Sequence, residues 1–247
     1  MEVFQSKRRI IKRREVLIFF LALSLFTACK KDASTTVDFG YNYVPLIKGN
    51  YVIYDVDSIY FDDFTKTSDT SKFQLKEQIG DAFIDLTGNS SYEYKRYKRY
   101  YAPNVDINTI AWTLTDVWYV SKLKDRYERV EESYRYSRLK FPVLNETSWD
   151  GNAFNNIGEW KYVLQKVDTK AKVGNTTFDS TATVIQRDQE SKISKQYYKE
   201  IFARNVGLIY KRVIDVYSQN TSSQVNIMNK IEKGVIYEWR YLSHGNN

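Results

Sequence analysis

The residues with chemistry to offer in this 247-residue chain are carboxylates and tyrosines rather than histidines or thiols. It holds one Cys and one His, and that histidine, His244, lies three residues from the C-terminus. Zinc sites draw three or four ligands from Cys, His and carboxylates, and Ser/His/Asp or Cys/His catalysis needs an imidazole beside the nucleophile. Neither a glycine-rich phosphate loop nor a GxSxG elbow is present. The sequence therefore offers no catalytic set, no metal ligands and no cofactor motif. One enzyme class needing neither His nor Cys stays open, a carboxylate-dependent glycan hydrolase. Its candidates are Asp55 with Asp57, Asp62 with Asp63, Glu131 with Glu132, and Glu146 with Asp150. Hydrolysis asks for two carboxyls facing each other about 5 to 9.5 Å apart, a distance that neighbours on a strand do not set, since they point to opposite sides. Asp55 and Asp57 share a face, and such a pair reads as a solvated edge that discourages pairing between molecules.

The most conspicuous run is Tyr92-Glu93-Tyr94-Lys95-Arg96-Tyr97-Lys98-Arg99-Tyr100-Tyr101. Interleaved basic and aromatic residues build polyanion grooves and sugar-stacking faces, and they also cover apolar surface with ring and stem while their tips stay wet. On a strand both faces of this run are mixed. Tyr92, Tyr94, Arg96 and Tyr97, with Trp149 from a later loop, form the candidate ligand face, for a glycan or an envelope protein and not for nucleic acid. Of the other tryptophans Trp112, Trp118 and Trp160 read as core, and the five, Trp239 included, could instead line a pocket in a barrel mouth.

These residues need strands to position them. From Asp38 onward Val, Ile, Thr, Tyr, Phe and Trp alternate with polar residues at period two, and no long apolar stripe has helical spacing. Val52, Tyr54 and Val56 mark a first strand, closed by the polar stretch from Asp62 to Ser71. Phe73 and Leu75 begin a second, and Asp85 to Asn89 is a turn before the Tyr92 to Tyr101 strand. Trp112, Leu114, Trp118 and Val120 share one parity between Ile110 and Ser121. Tyr127 to Glu131 is a charged strand, and Pro142 ends the next. Asn145 to Gly158 reads as a packed loop. Trp160 to Leu164 and Phe178 to Val184 resume the alternation, Asn205-Val206-Gly207 joins a hairpin, and Val235 to Leu242 comes last. Asp188 to Phe202 also fits a helical face, and Ile227 to Ile231 a short helix. The expectation is an all-β, single antiparallel domain of about ten strands, a barrel, half-barrel or sandwich, over residues 38–247.

The N-terminus carries an address. Lys7, Arg8, Arg9, Lys12, Arg13 and Arg14 precede Val16 to Ala28, 13 uncharged residues, too few for the roughly 20 that span a bilayer as a helix. Leu25-Phe26-Thr27-Ala28-Cys29 resembles the lipobox of bacterial lipoproteins, with Phe26 where Leu is usual. The resemblance implies cleavage between Ala28 and Cys29 and acylation of Cys29, whose several acyl chains would anchor the protein stably. The twin arginines also resemble a twin-arginine export signal. Residues 1–28 are then a signal peptide and residues 29–37 an acylated cysteine with a polar tether, similar to the charged segment of surface-exported Bacteroidota lipoproteins. Position 30 is Lys, not the Asp of inner-membrane retention, which points to the outer membrane with the leaflet open. Six basic and two acidic residues leave with the signal, so the chain's net +7 falls to +3, and the basic excess belongs largely to the address.

Further motifs carry a resemblance over most of the mature chain. Gly49 to Tyr54, Leu75-Lys76-Glu77, Arg96 to Arg99, Leu139-Lys140-Phe141-Pro142, Trp149-Asp150-Gly151-Asn152 and Val206 to Lys211 resemble a group of β-rich Bacteroidota lipoproteins without established activity. It implies fold and location and no catalytic residue. The sequence thus reads as a membrane-anchored envelope lipoprotein with a non-catalytic binding or structural role. The alternatives are the glycan hydrolase and a carrier of a lipid or other amphiphile in a barrel cavity. The sequence leaves the oligomeric state open.

Overall fold

The computed structural model describes residues 37–247. Ala28, Cys29 and the rest of the signal and tether up to residue 36 lie outside the described residues, and residues 38–247 form one compact unit. Twelve strands follow one another: β1 (Asn50–Asp62), β2 (Thr67–Ile84), β3 (Ser90–Tyr100), β4 (Thr113–Lys122), β5 (Arg126–Glu131), β6 (Tyr134–Lys140), β7 (Ser148–Asp150), β8 (Lys161–Val173), β9 (Thr176–Glu190), β10 (Ser194–Ala203), β11 (Gly207–Tyr217) and β12 (Lys233–Asn246). Three 3-10 turns, at Tyr41–Tyr43, Ile107–Thr109 and Ile227–Asn229, are the only helical pieces among the described residues.

All twelve strands belong to one antiparallel sheet in the order β6-β5-β4-β3-β2-β1-β12-β11-β10-β9-β8-β7. It is an up-and-down meander whose first and last strands pair in the middle. Its two edges, β6 and β7, are consecutive in the chain and meet again, because the Ser137 N–H donates to Gly151 O (2.9 Å) and Trp149 Nε1 to Ser137 O (2.8 Å). Asn155 Nδ2 adds a bond to Arg135 O (3.0 Å). The result is a nearly closed barrel, which leaves neither edge long and unpaired. Of the shapes the alternation allowed, the sandwich is absent.

The core fills the barrel. Tyr54, Val56, Leu75, Ile79, Tyr94, Val120, Tyr127, Leu139, Tyr162, Leu164, Ala182, Val184, Phe202 and Trp239 are buried in one cluster, each supplied by the inward parity of its strand. Bulges re-aim side chains where the parity would fail. Tyr127 pairs with Leu139 but Glu128 with Ser137, so Arg138 is an extra residue and is buried beside Leu139. A second cluster (Val173, Ile201, Ala203, Ile209) seats the β8–β9 tip against β10 and β11, and a third (Ile214, Val216, Ile227) seats the loop before β12.

Three expectations change, and the choice between strand and helix over Asp188 to Phe202 falls to strand. The polar stretch after β1 closes the strand only over residues 63–66, because Thr67 to Ser71 pair with Ser58 to Asp62 as a hairpin; their polarity reflects solvent exposure rather than a loop. Asn145 to Gly158 contains β7, too short for alternation to show. Asp188 to Phe202 is a strand hairpin, its turn held by Ser191 Oγ accepting from the Ser194 N–H (3.0 Å). Trp112 does not join the core with Trp118. Arg96 pairs with Asp116 while Tyr97 pairs with Leu114, so Thr115 is a bulge and every earlier residue of β4 changes side.

Candidate functional site: a charged cavity inside the barrel

In a meander the β2–β3, β4–β5, β8–β9 and β10–β11 turns share one end of the barrel with the entry into β1 and the exit from β12. Residues 38–49 cross this end. Tyr43 is fully buried and its hydroxyl donates to Asp168 Oδ1 (2.8 Å). Lys122 Nζ donates to Val44 O (2.9 Å), and the Asn205 N–H to Asn42 O (2.7 Å). Arg204 clamps Asp168 through Nε and Nη2 (2.8 and 3.0 Å) and reaches Asp38 (2.7 Å). The Arg204 guanidinium, with bonds from Ser180 and Tyr43, holds the Asp168 carboxyl well below the usual range.

Behind this crossing segment lies a cavity of about 260 Å³. Val44, Leu46, Val52, Ile79 and Leu208 give it an apolar wall, Tyr43, Tyr54, Tyr94 and Tyr127 an aromatic one, and His244, Asn246 and Asn205 complete its lining. Four charged residues also line it, Glu77, Arg129, Arg138 and Glu200, with Arg129 Nε, Arg138 Nε and Glu200 Oε1 themselves buried. These four belong to a chain of contacts through the barrel interior. Glu77 accepts from Arg96 Nη2 (2.6 Å), Arg129 Nη2 (3.1 Å) and the Tyr94 hydroxyl (2.6 Å). Arg129 also pairs with Glu131, which meets Arg138 (3.2 Å). Arg138 and Lys211 approach Glu200 at 3.6 and 3.5 Å. Aromatic faces cover the cations: Arg96 lies over Trp118 (4.2 Å) and Trp239 (5.0 Å), and Lys211 over Trp239 (5.0 Å).

Burial pushes the Glu77 carboxyl up, but Arg129 and Arg96 outweigh it and the net shift is downward. For Glu131 burial is again opposed by Arg129, then Arg138 and Lys211, and the carboxyl ends well below its ordinary value. Burial alone dominates at Tyr127 and Tyr162, raising the second to about 12. At neutral pH Glu77 and Glu131 are therefore ionised and Tyr127 and Tyr162 protonated, fixed charges beside neutral donors.

The structure divides the candidate ligand face. Tyr92, Tyr94, Arg96 and Trp149 face inward: Tyr92 and Trp149 pack against the core, Trp149 meeting Tyr162 edge-on at 5.8 Å, and only Tyr94 of the set lines the cavity. Tyr97 faces outward, where Lys76 Nζ sits 4.4 Å from its ring and 5.3 Å from Trp112. The five residues do not make one face, because Tyr97 has the opposite parity on β3. The acid pairs are also apart from one another. Asp55 accepts from Tyr101 and Asp57 from Arg240, both outside, while Asp150 Oδ1 takes the Asn152 and Trp160 N–H groups (2.9 and 3.0 Å). Glu131 alone is inside.

Sequence reasoning missed Glu77, Arg129, Arg138, Glu200 and Lys211 as a group. The signal was present for four of them, since Leu75-x-Glu77-x-Ile79, Tyr127-x-Arg129, Glu200-x-Phe202 and Lys211-x-Val213 put a charge on the apolar parity of a strand. A buried charge of this kind must be paired. Arg138 is buried through its bulge and had no such signal. Among the described residues no group of three or more His, Cys, Asp or Glu is placed to hold a metal, and no helix is long and apolar enough to cross a membrane.

No family model matches the chain, and no curated protein does. Two solved structures are similar in part. A candidate lipoprotein from Parabacteroides distasonis aligns over 85% of this chain and all of its own, at 12% identity and a TM-score of 0.37. A candidate outer-membrane lipoprotein-sorting domain from Vibrio parahaemolyticus aligns over 81% of this chain and 86% of its own, at 13% identity and a TM-score of 0.19. Likenesses this loose carry no argument about the site.

Proposed function

We propose that this chain is an envelope lipoprotein, acylated at Cys29 and held at the outer membrane, whose barrel binds a small molecule without transforming it. The observation that supports the reading is the cavity behind residues 38–49, where Arg129 and Arg96 hold the Glu77 carboxyl below its ordinary value. A glycosidase needs one carboxyl with a raised pKa to protonate the leaving oxygen. Glu77 and Glu131 are shifted the other way. Binding sites for small ligands combine apolar and aromatic walls with a few fixed polar groups, in volumes from about 300 Å³ upward, and this cavity, at about 260 Å³, falls just short of that range and suits a ligand smaller than most.

Two experiments test the two halves. Cys29→Ser should abolish labelling by a fatty-acid analogue and release the protein from membranes; labelling that persists removes the lipoprotein reading. Native mass spectrometry of the full chain extracted from its own membranes should show a bound small molecule that is lost in Leu208→Trp, a substitution that fills the cavity. An identical spectrum for both proteins contradicts the binding reading.

A further inference from the structure

The outer face of β1 to β4 carries a lysine that no carboxylate among the described residues neutralises. Lys76 stands on β2 opposite Ile53 of β1 and Tyr97 of β3, with Gln74 and Gln78 beside it on its own strand, so its nearest neighbours on that face are uncharged. Neighbouring lysines of the same face are paired, Lys72 with Asp57 (3.4 Å) and Lys95 with Glu93 (2.8 Å). Asp55, diagonal to Lys76, accepts from the Tyr101 hydroxyl instead. Burial, then the Arg99 charge, depress the Lys76 pKa, and no carboxylate offsets them. Three rings stand around the ammonium, Tyr97 at 4.4 Å, Trp112 at 5.3 Å and Tyr51 at 6.0 Å, and Arg99 lies 4.3 Å from the same Trp112 ring. Ring faces hold a cation in place and leave its charge uncancelled. Lys76, Tyr51, Tyr97 and Trp112 are only half-buried, and Leu114, opposite Tyr97 on β4, is 49% exposed, so the patch is open to solvent.

We propose that this outer patch is a second binding site, separate from the cavity, and that it takes an acidic sugar whose carboxylate pairs with Lys76 and whose apolar C–H face covers Tyr97, Trp112 and Leu114. The carboxylate supplies the negative charge that the fold leaves out, and its pairing with an ammonium is the stronger, charge-assisted kind of hydrogen bond. The rings and the exposed leucine supply an apolar surface for a flat, rigid body. A neutral sugar meets only the second of these features and a simple inorganic anion only the first, so the patch discriminates against both. A cationic ligand is repelled by Lys76 and Arg99 together.

The test is ligand-observed NMR on the full chain in detergent with three probes: trigalacturonate, neutral galactotriose and inorganic phosphate. Trigalacturonate should bind about tenfold more tightly than galactotriose, the ratio that one hydrogen bond to a charged group supplies, and the advantage should shrink as salt is added. Lys76→Met keeps the stem without the charge and should bring trigalacturonate down to the level of galactotriose, whereas Trp112→Ala should weaken both. Leu208→Trp, which fills the cavity, should leave the binding of both sugars unchanged, so the patch stands or falls apart from the cavity reading. Equal binding of the two trimers, or a Lys76→Met protein that still prefers the acid, overturns the carboxylate pairing. Phosphate that displaces trigalacturonate at equal concentration makes the patch a general anion site and overturns the sugar assignment. Should Trp112→Ala fail to fold, the ratio on the unaltered protein and on Lys76→Met decides the matter.

Discussion

One strand supplies basic and aromatic residues to two opposite surfaces, and the surfaces differ in how they treat the cations. On the inner side of β3, Arg96 is sandwiched between Trp118 and Trp239 and bonded to the carboxylate of Glu77. On the outer side, Arg99 lies over Trp112 at 4.3 Å and spends its donors on neutral groups, Gln74 Oε1 (2.9 and 2.6 Å), Asn108 Oδ1 (3.2 Å) and the Ile110 carbonyl (3.5 Å). Beside it Lys76 lies near the rings of Tyr51, Tyr97 and Trp112, and burial followed by the Arg99 charge depresses its pKa. The same alternation of Arg and Tyr thus yields a charge-compensated interior and a cationic aromatic exterior. Which surface a cation joins is a matter of parity, and what it pairs with is decided by the neighbouring strand.

The contrast breaks most visibly at Arg129, which joins Glu77 to Glu131. Arg129→Met leaves two buried carboxylates short of their principal partner and should cost about 3 to 5 kcal/mol in a denaturant titration, since removing one side of a buried pair strands the other. Arg99→Met removes bonds to neutral acceptors only and should cost about 1 to 2 kcal/mol. Equal losses at the two positions would erase the distinction between inner and outer cations.

Acid should act on the interior in the same sense. Glu77 and Glu131 have folded pKa values below their unfolded ones, so their contribution is complete above about pH 4.3 and is lost as pH falls through the depressed values. Asp85 adds to this in the β2–β3 turn: burial raises its carboxyl, but Thr87, Asn89 and Arg135 bring it down to about 2. Unfolding free energy should therefore be flat from pH 7 to 5 and decline steadily below 4. A maximum below pH 4 would mean that the interior carboxyls prefer to be neutral.

The smallest effect is expected outside. Trp112→Ala with Tyr97→Ala should lower stability by about 1 to 2 kcal/mol, the range of half-buried cation–ring contacts, and less than Arg129→Met. If the outer surface engages acidic glycans, the pair should weaken retention on an acidic polysaccharide array, whereas unchanged retention leaves those rings as a cover for the Lys76 and Arg99 stems. Tyr94 does not belong in this test, because its hydroxyl bonds Glu77 inside the barrel.

Alternation alone made most of the strands legible, since Tyr54, Leu75, Tyr94, Val120, Tyr162, Val184 and Trp239 all occupy the inward parity that a one-sided sheet demands. What it hid were departures from period two. The bulge at Thr115 moved Trp112 outside, and the bulge at Arg138 brought a cation inside next to Leu139. Neither position carries Gly or Pro, so nothing local announces the extra residue. β7 has three residues, fewer than the four or more over which alternation can be read, and its role in joining the barrel edges comes from Trp149 and Gly151 meeting Ser137, contacts between segments far apart in sequence. The cavity was legible only as a general property of barrels; its charged lining required knowing that Glu77, Arg129, Arg138 and Glu200, from four different strands, converge.

The central claim is that the barrel interior is a set of fixed charges suited to binding and not to proton transfer. Carbon-13 NMR of the side-chain carboxyls of Glu77 and Glu131, followed through an acid titration, tests it most directly. Both should stay ionised to pH values below the ordinary glutamate value of about 4.3, so that neither is a carboxylic acid at neutral pH. A midpoint near 6 for either residue would supply the general acid that a glycosidase needs, and would contradict the account.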